Sequence, residues 1–190
     1  MRLQCQYMKN KTIAKNIAKN IAFQGSFGAN SNLACQKFYP NFIAKAFFSF
    51  DEIFKAILTN KIDYAMIPLE NSYAGRVAEI HNLLQDNDVA IIAEHFLPIE
   101  HHLAGIKNAK IKDIAEVYSH PQALMQCQKT LGELKLKSYS ASNTAEAAKY
   151  VALKLDKSKA AICSSLAAKL NGLIILKKNL QDCDNNITLF

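Results

Sequence analysis

A chain of 190 residues, half of them hydrophobic, is long enough to bury a sizeable core, as one domain or as two small lobes. It has no run of about 18 apolar residues, so no membrane span is expected; its five scattered cysteines (Cys5, Cys35, Cys127, Cys163, Cys183) form no CxxC pair, which argues against a disulfide framework or zinc site and fits a reducing cytoplasm. The net charge of +7 is concentrated in the first 20 residues, where Arg2, Lys9, Lys11, Lys15 and Lys19 face no acid; the remainder sets 18 cations against 16 acids, which leaves a nucleic-acid footprint unsupported.

Residues 1–20 read as a basic, disordered leader rather than a targeting segment, since they lack an apolar stretch and hold little Ser or Arg. IAFQG (21–25) is a short strand closed by glycine. GANSNLACQKFY (28–39) has helical spacing and is stopped by Pro40. AKAFFSF (44–50) is a strand, and Ser49 or Asp51 caps a helix over DEIFKAILTNK. DYAMIPLE (63–70) is a buried type of strand and VAEIHNLLQDN (77–87) a helix. VAIIAEHFLPI (89–99) forms one or two extended segments, with Pro98 demoting the second to an edge or a bend.

A second series follows. HHLAGI is a strand, and IKDIAEVYSH holds a helical turn and another strand. PQALMQCQKTLGEL (121–134) is a helix with proline at its first position. KLKSYSA is extended, and NTAEAAKYVALKL (143–155) is a helix with a capping-box pattern at Asn143 and Glu146. AAICSS is a strand, LAAKLNGL a short helix ended by Gly172, and IILKKNL and NNITLF are extended. About nine strands and six helices alternate from residue 21 onward. This predicts an α/β protein with largely parallel sheets, in two lobes flanking a cleft and with two chain crossings between them.

Polar clusters sit where strands end, which is where sites form in open α/β sheets. GANSN (28–32), PLENSYAG (68–75), SHPQ (119–122) and SNT (142–144) each offer hydroxyls, amides or free N–H groups to an anion. Singly, such residues are helix caps more often than ligands; four sets on two lobes point to a small-anion cleft. His120 reads as a general acid, a hydrogen-bond donor or a capping histidine. Glu70 orients neighbouring amides or caps a strand end. Arg76, the single arginine after the leader, is either a fork for a carboxylate or half of a surface ion pair. The EHH run (100–102) with His95 is not read as a metal site, because adjacent strand residues face opposite ways.

IAFQG, PLENS, SHPQAL, SNTAEAA, AAICSSLAA with NGL, and NNITLF occur in this order. Residues 21–190 thereby resemble the catalytic domain of the prephenate dehydratase family. The resemblance implies two α/β subdomains of the periplasmic-binding-protein type with the active site between them. It places lobe 1 at about 21–97 plus about 174–190, and lobe 2 at about 98–173. It implies conversion of prephenate to phenylpyruvate in phenylalanine biosynthesis, in the cytoplasm, with no metal or organic cofactor, by a homo-oligomer (dimer or tetramer). Prephenate would be the partner, with no nucleic acid and no membrane. Arogenate dehydratase and a decayed small-anion-binding protein of the same fold are the alternatives. Many members add a phenylalanine-binding ACT domain; residues 1–190 hold none, so feedback by phenylalanine is not expected of them.

The family pattern near the end of the catalytic domain is Thr-Arg-Phe, and here it reads Thr188, Leu189, Phe190. By resemblance Thr188 is the donor to the departing hydroxyl, supported by Asn71, Ser72, Ser119, His120 and Gln122. Ala29, Asn30 and Ser31, and Asn143 and Thr144, lie at helix starts that would hold the pyruvyl carboxylate. Arg76 would compensate for Leu189 if it faces the cleft. Strand alternation sends residue 189 to the face opposite Thr188, so the missing arginine is read as structural.

Overall fold

The structure is a computed structural model and describes residues 19–190. The expected leader lies, apart from Lys19 and Asn20, outside the described residues.

Strand β1 (Asn20–Gln24) is the middle of a parallel sheet, between β2 (Ile43–Phe47) and β3 (Tyr64–Met66). Its apolar run is buried on both faces, as a parallel strand covered by helices requires. Ile21 and Phe23 pack towards helix α1 (Asn30–Phe38), against Ala34 and Cys35. Ala22 faces the other way, towards α2 (Phe50–Leu58) and α3 (Ala78–Asp86), where it joins Ile53 and Ile80. Ser49 caps α2 by accepting from the Glu52 N–H at 3.2 Å, and the Glu52 carboxylate accepts from the Phe48 N–H in return.

Past Pro68 the chain enters a second ladder. Strands β4 (Glu70–Asn71), β5 (Gly75–Arg76), β6 (Phe96–Pro98) and β12 (Ile187–Leu189) pair in the order β5-β4-β12-β6, all antiparallel. A bond from the Leu69 N–H to the Leu189 carbonyl joins this ladder to the end of β3. The expectation of largely parallel sheets is corrected here. β4 and β5 are joined by a tight turn, which forces antiparallel pairing; β6 follows α3 and residues 87–95 and pairs with β12, which arrives by the crossing segment 178–186. Pro98 sits on the edge strand, while residues 89–94 join no ladder.

The other sheet has five strands in the order β11-β7-β10-β8-β9: β7 (His102–Gly105), β8 (Glu116–Ser119), β9 (Lys137–Ser140), β10 (Lys159–Cys163) and β11 (Ile174–Lys177). β8 runs parallel to β9 and β10, whereas β7 is antiparallel to β10 and β11. Helices α4 (Pro121–Gln126) and α5 (Gln128–Glu133) cover one face through Ala123, Cys127 and Leu131. Helices α6 (Thr144–Lys154) and α7 (Ser165–Leu170) cover the other. The single helix expected over 121–134 breaks at Cys127, and the Asp182 carboxylate caps the restart by accepting from the N–H groups of Lys129 and Thr130. β11 was expected to return to the first lobe; it pairs with β7 instead, so the return comes later.

Two segments cross between the sheets, residues 99–101 and 178–186. They lie side by side: the Ile99 N–H donates to the Asn186 carbonyl at 2.7 Å, and the Leu180 N–H to the His101 carbonyl at 2.7 Å. Away from them the two halves touch at Gly28, whose carbonyl accepts from Ser164 Oγ at 2.7 Å, and at Ser26, whose hydroxyl donates to Glu146 at 2.8 Å. Among the described residues, no helix is long and apolar enough to cross a membrane.

Candidate active site

A cleft of about 360 Å³ lies between the halves. Ten of the sequence-predicted residues line it: Ala29, Asn30, Glu70, Asn71, Arg76, His120, Gln122, Asn143, Thr144 and Thr188. They come from five chain regions, brought together by β12, by the β4–β5 turn and by the starts of α1, α4 and α6.

Thr188 and Asn71 are directly opposite on β12 and β4, which aims both side chains at the same face. The Asn71 side-chain oxygen accepts from the backbone N–H groups of Tyr73 (3.0 Å) and Ala74 (2.8 Å). Two backbone donors fix which end of the amide is oxygen. Its nitrogen therefore donates, to Thr188 Oγ1 at 3.0 Å and to Asn186 Oδ1 at 2.7 Å. Thr188 accepts that bond with a lone pair and keeps its own O–H to give. The residue is 8% exposed, so little water competes for it.

His120 caps α4: its Nδ1 accepts from the Gln122 N–H at 3.3 Å, which leaves Nε2 as the nitrogen that carries the proton. The two predicted anion-binding helix starts differ. Asn143 caps α6 by accepting from the Glu146 N–H, and an acid stands in that first turn. The expected return half of the capping box is missing, because the Glu146 carboxylate turns to Ser26 and Lys149. Helix α1 starts at Ala29 with no side-chain cap and no acid in its first turn, so it is the better anion seat.

Arg76 lines the cleft beside Glu70, their charged atoms 3.9 Å apart and both exposed. Leu189 is paired with Glu70 on β4, so a guanidinium there would face the carboxylate that Arg76 reaches from the other side.

Four predicted residues lie elsewhere. Ser119 is fully buried and spends its O–H on the Ile162 carbonyl at 2.6 Å, tying β8 to β10. Ser72 donates to the Asn185 carbonyl and accepts from the Ile187 N–H, which holds β12 in register. Ser31 stands within the first turn of α1 but not on the cleft wall. Phe190 is a core residue, 6% exposed, packed with Phe23, Met66 and Leu97. It also borders a separate apolar cavity of about 340 Å³ with Tyr64 and Ile91, which Thr188 does not line.

Sequence reading missed His101, Gln126 and Asn186. His101 Nε2 lies 2.7 Å from Gln126 Oε1, and Asn186 Nδ2 donates to the same oxygen at 3.0 Å. Burial pushes the His101 imidazole below its ordinary value, only partly offset by the bond to Gln126, with His102 lowering it further. His102 turns away, its Nδ1 accepting from the Asn179 N–H. The signal available in the sequence for His101 and Gln126 was polar residues set among apolar ones in PIEHHLAG and PQALMQC.

The sequence model of the family described as prephenate dehydratase matches residues 21–190. A protein of Komagataeibacter europaeus named bifunctional N-acyl-homoserine lactone acylase/prephenate dehydratase is 39% identical over 90% of this chain and 60% of its own length. Arogenate dehydratase 2 of Petunia hybrida is likewise 39% identical over 90% of this chain, but over 43% of itself. The chain thus spans about half the length of the curated relatives it matches. A solved structure described as GqqA, a novel type of quorum quenching acylase, superposes with a TM-score of 0.84 at 38% identity, covering 90% of this chain and 62% of that one. A prephenate dehydratase from Arthrobacter aurescens, solved with L-Phe, shares the fold at a TM-score of 0.81 and 24% identity, covering 90% of this chain and 58% of that one.

Proposed function

The chain belongs to the prephenate dehydratase family, and on that premise we propose that its cleft carries out the decarboxylating dehydration of prephenate to phenylpyruvate. The observation that carries the reading is the Asn71–Thr188 bond. It leaves a hydroxyl proton available in a cleft that also presents His120 Nε2 and the open start of α1. The bond from the ring to its carboxylate breaks and leaves its electron pair in the forming aromatic ring. On the far side the carbon–oxygen bond breaks, and the departing oxygen takes a hydrogen bond from Thr188. Threonine is a weak acid, so its contribution is a donor held in place in advance, with Asn71 supporting the growing negative charge on Oγ1. Aromatisation supplies the driving force, so the scheme needs no cofactor. His120 and Gln122 face the same space from the other half and are assigned to the substrate's polar groups.

The pyruvyl carboxylate is assigned to the N-terminus of α1. Arogenate carries an ammonium group where prephenate carries a keto group. Glu70, the acid among the residues that line the cleft, leaves β4 on the face opposite Asn71 and Thr188, which offers little to an ammonium beside them and favours prephenate. We place the activity in aromatic amino-acid biosynthesis, in the cytoplasm.

Purified protein incubated with prephenate, arogenate and an N-acyl-homoserine lactone in parallel tests the reading. Phenylpyruvate should form from prephenate, faster than phenylalanine forms from arogenate, and Thr188→Ala should abolish it. Turnover of neither dehydratase substrate, or turnover that survives Thr188→Ala, sinks it; an anion that binds without reacting would mark a binding protein.

A further inference from the structure

Behind the Asn71–Thr188 pair a line of buried polar side chains runs across the molecule to His101, and its direction can be read end to end. Asn71 Oδ1 is occupied by the N–H groups of Tyr73 and Ala74, so Asn71 Nδ2 faces Asn186 Oδ1. That makes Asn186 Nδ2 the donor to Gln126 Oε1. The same oxygen faces His101 Nε2, so the proton of His101 sits on Nε2. Asn186 is 3% exposed, His101 4% and Gln126 6%, so each partner lost would leave a buried polar group unmatched.

We propose that His101, Gln126 and Asn186 are positioning residues that, together with the backbone N–H groups of Tyr73 and Ala74, hold the Asn71 amide in the one orientation that leaves the Thr188 proton to the substrate. The alternative orientation has a specific consequence. With the amide of Asn71 flipped, its oxygen would face Thr188, which would then give its O–H to Asn71 and have none for the departing group. A flip of Asn71 would put two N–H groups against Tyr73 and Ala74, and a flip of Asn186 or Gln126 would set donor against donor at the next link. The line is anchored at one end by backbone N–H groups and at the other by an imidazole that burial keeps uncharged.

The same line bridges the two halves. Asn71 and Thr188 belong to the antiparallel ladder, Asn186 and His101 to the crossing segments, and Gln126 to α4 under the five-stranded sheet. The crossing segments are also tied together by the His101 N–H, which donates to Gln181 Oε1 at 3.0 Å. The hydroxyl is therefore oriented only while α4 is seated against both crossings, so the readiness of Thr188 depends on how the halves sit.

The inference rests on the dehydratase reading, and its test keeps the two apart. Long-range proton–nitrogen NMR of the wild-type chain should show His101 as the neutral Nε2–H tautomer at neutral pH. On prephenate, His101→Leu should lower kcat about tenfold or more per folded molecule with KM within about threefold, and His101→Gln, which keeps a donor at this site, should recover most of that loss. A neutral Nδ1–H tautomer or an imidazolium at neutral pH overturns the proposal, as does a Leu variant with undiminished kcat. An equal loss in both variants also overturns it, because the imidazole would then act as more than a donor. An inactive wild type that shows the Nε2–H tautomer would sink the function reading and the catalytic role with it, leaving the hydrogen-bond direction standing. An active wild type with the other tautomer would sink the positioning line alone.

Discussion

Asn71 Nδ2 lies 3.0 Å from Thr188 Oγ1 while the other end of the same amide is held by two backbone N–H groups, so the threonine can only accept from it. Asn71→Asp keeps shape and keeps the acceptor for Tyr73 and Ala74, but removes every donor. Thr188 would then give its proton to the new carboxylate. We expect kcat on prephenate to fall about 100-fold, the scale seen when one pre-organised donor is removed, with circular dichroism unchanged. A variant within about threefold of wild type would mean that Asn71 does not set the hydroxyl.

Leu189→Arg tests the departure from the family pattern. Residue 189 is opposite Glu70, and residue 188 is opposite Asn71, so the two point to different faces of β12. The new guanidinium would meet the Glu70 carboxylate, which is half exposed and already within 3.9 Å of Arg76. An exposed pair of this kind contributes about 0–1 kcal/mol. The expected result is kcat/KM on prephenate within about threefold of wild type. A gain of tenfold or more would show that the cleft lacks a cation it needs.

The alternation of strands and helices was legible because each apolar run has a clear period and an end signal, as at Pro40, Ser49 and Pro121. Strand direction was not, because period-two patterning is the same for both pairings; β7, β11 and β12 are antiparallel for reasons of chain connection. The cleft was legible in residues that open helices, such as Asn30, His120 and Asn143. Ser119 and Ser72 misled because a hydroxyl next to a motif looks the same whether it faces a ligand or a neighbouring carbonyl. His101 and Asn186 were given no role because their meaning lies in Gln126, which is far from either in sequence.

Acid should weaken the fold in two separate windows. Burial, above all, holds His101 and His102 below the ordinary histidine value of 6.5, with Glu100 opposing and Lys178 reinforcing the effect on His102. The unfolded chain then takes up protons that the folded chain refuses. Their contribution is complete above about pH 6.5 and is lost as pH falls below it, at no more than about 1.4 kcal/mol per pH unit for each histidine. The carboxylates of Glu116, lowered chiefly by its bond from Lys159, and Asp156, lowered chiefly by the Ser158 N–H, contribute fully above the ordinary carboxylate range, and their contribution is lost only as pH falls beneath it. Urea midpoints should therefore drop between about pH 6.5 and 5 in the wild type, and His101→Gln combined with His102→Gln should flatten that slope. An unchanged slope in the double variant would assign the acid sensitivity to other groups.

Gly28 is a point of close approach between the two halves. Its φ is +96°, and a Cβ there would come within 2.8 Å of the Ala167 backbone on α7. Its carbonyl takes the Ser164 hydroxyl, which also caps α7 by accepting from the Ala167 N–H, and its N–H donates to the buried Asn32. Gly28→Ala therefore combines a left-handed backbone, about 1–2 kcal/mol for an L-residue, with an overpacked contact of about 1–3 kcal/mol. Gly172→Ala is the control: φ is +66° but nothing lies within 4 Å of the added carbon. We expect urea unfolding to show a loss of about 1–2 kcal/mol for Gly172→Ala with kinetics unaltered, and a clearly larger loss for Gly28→Ala. Because relief at Gly28 requires α7 to move off α1, the cleft must widen, and KM for prephenate should rise more than kcat falls. Equal losses of stability in the two variants, with KM unchanged in both, would show that Gly28 is needed only for its backbone angle and that the halves are held together elsewhere.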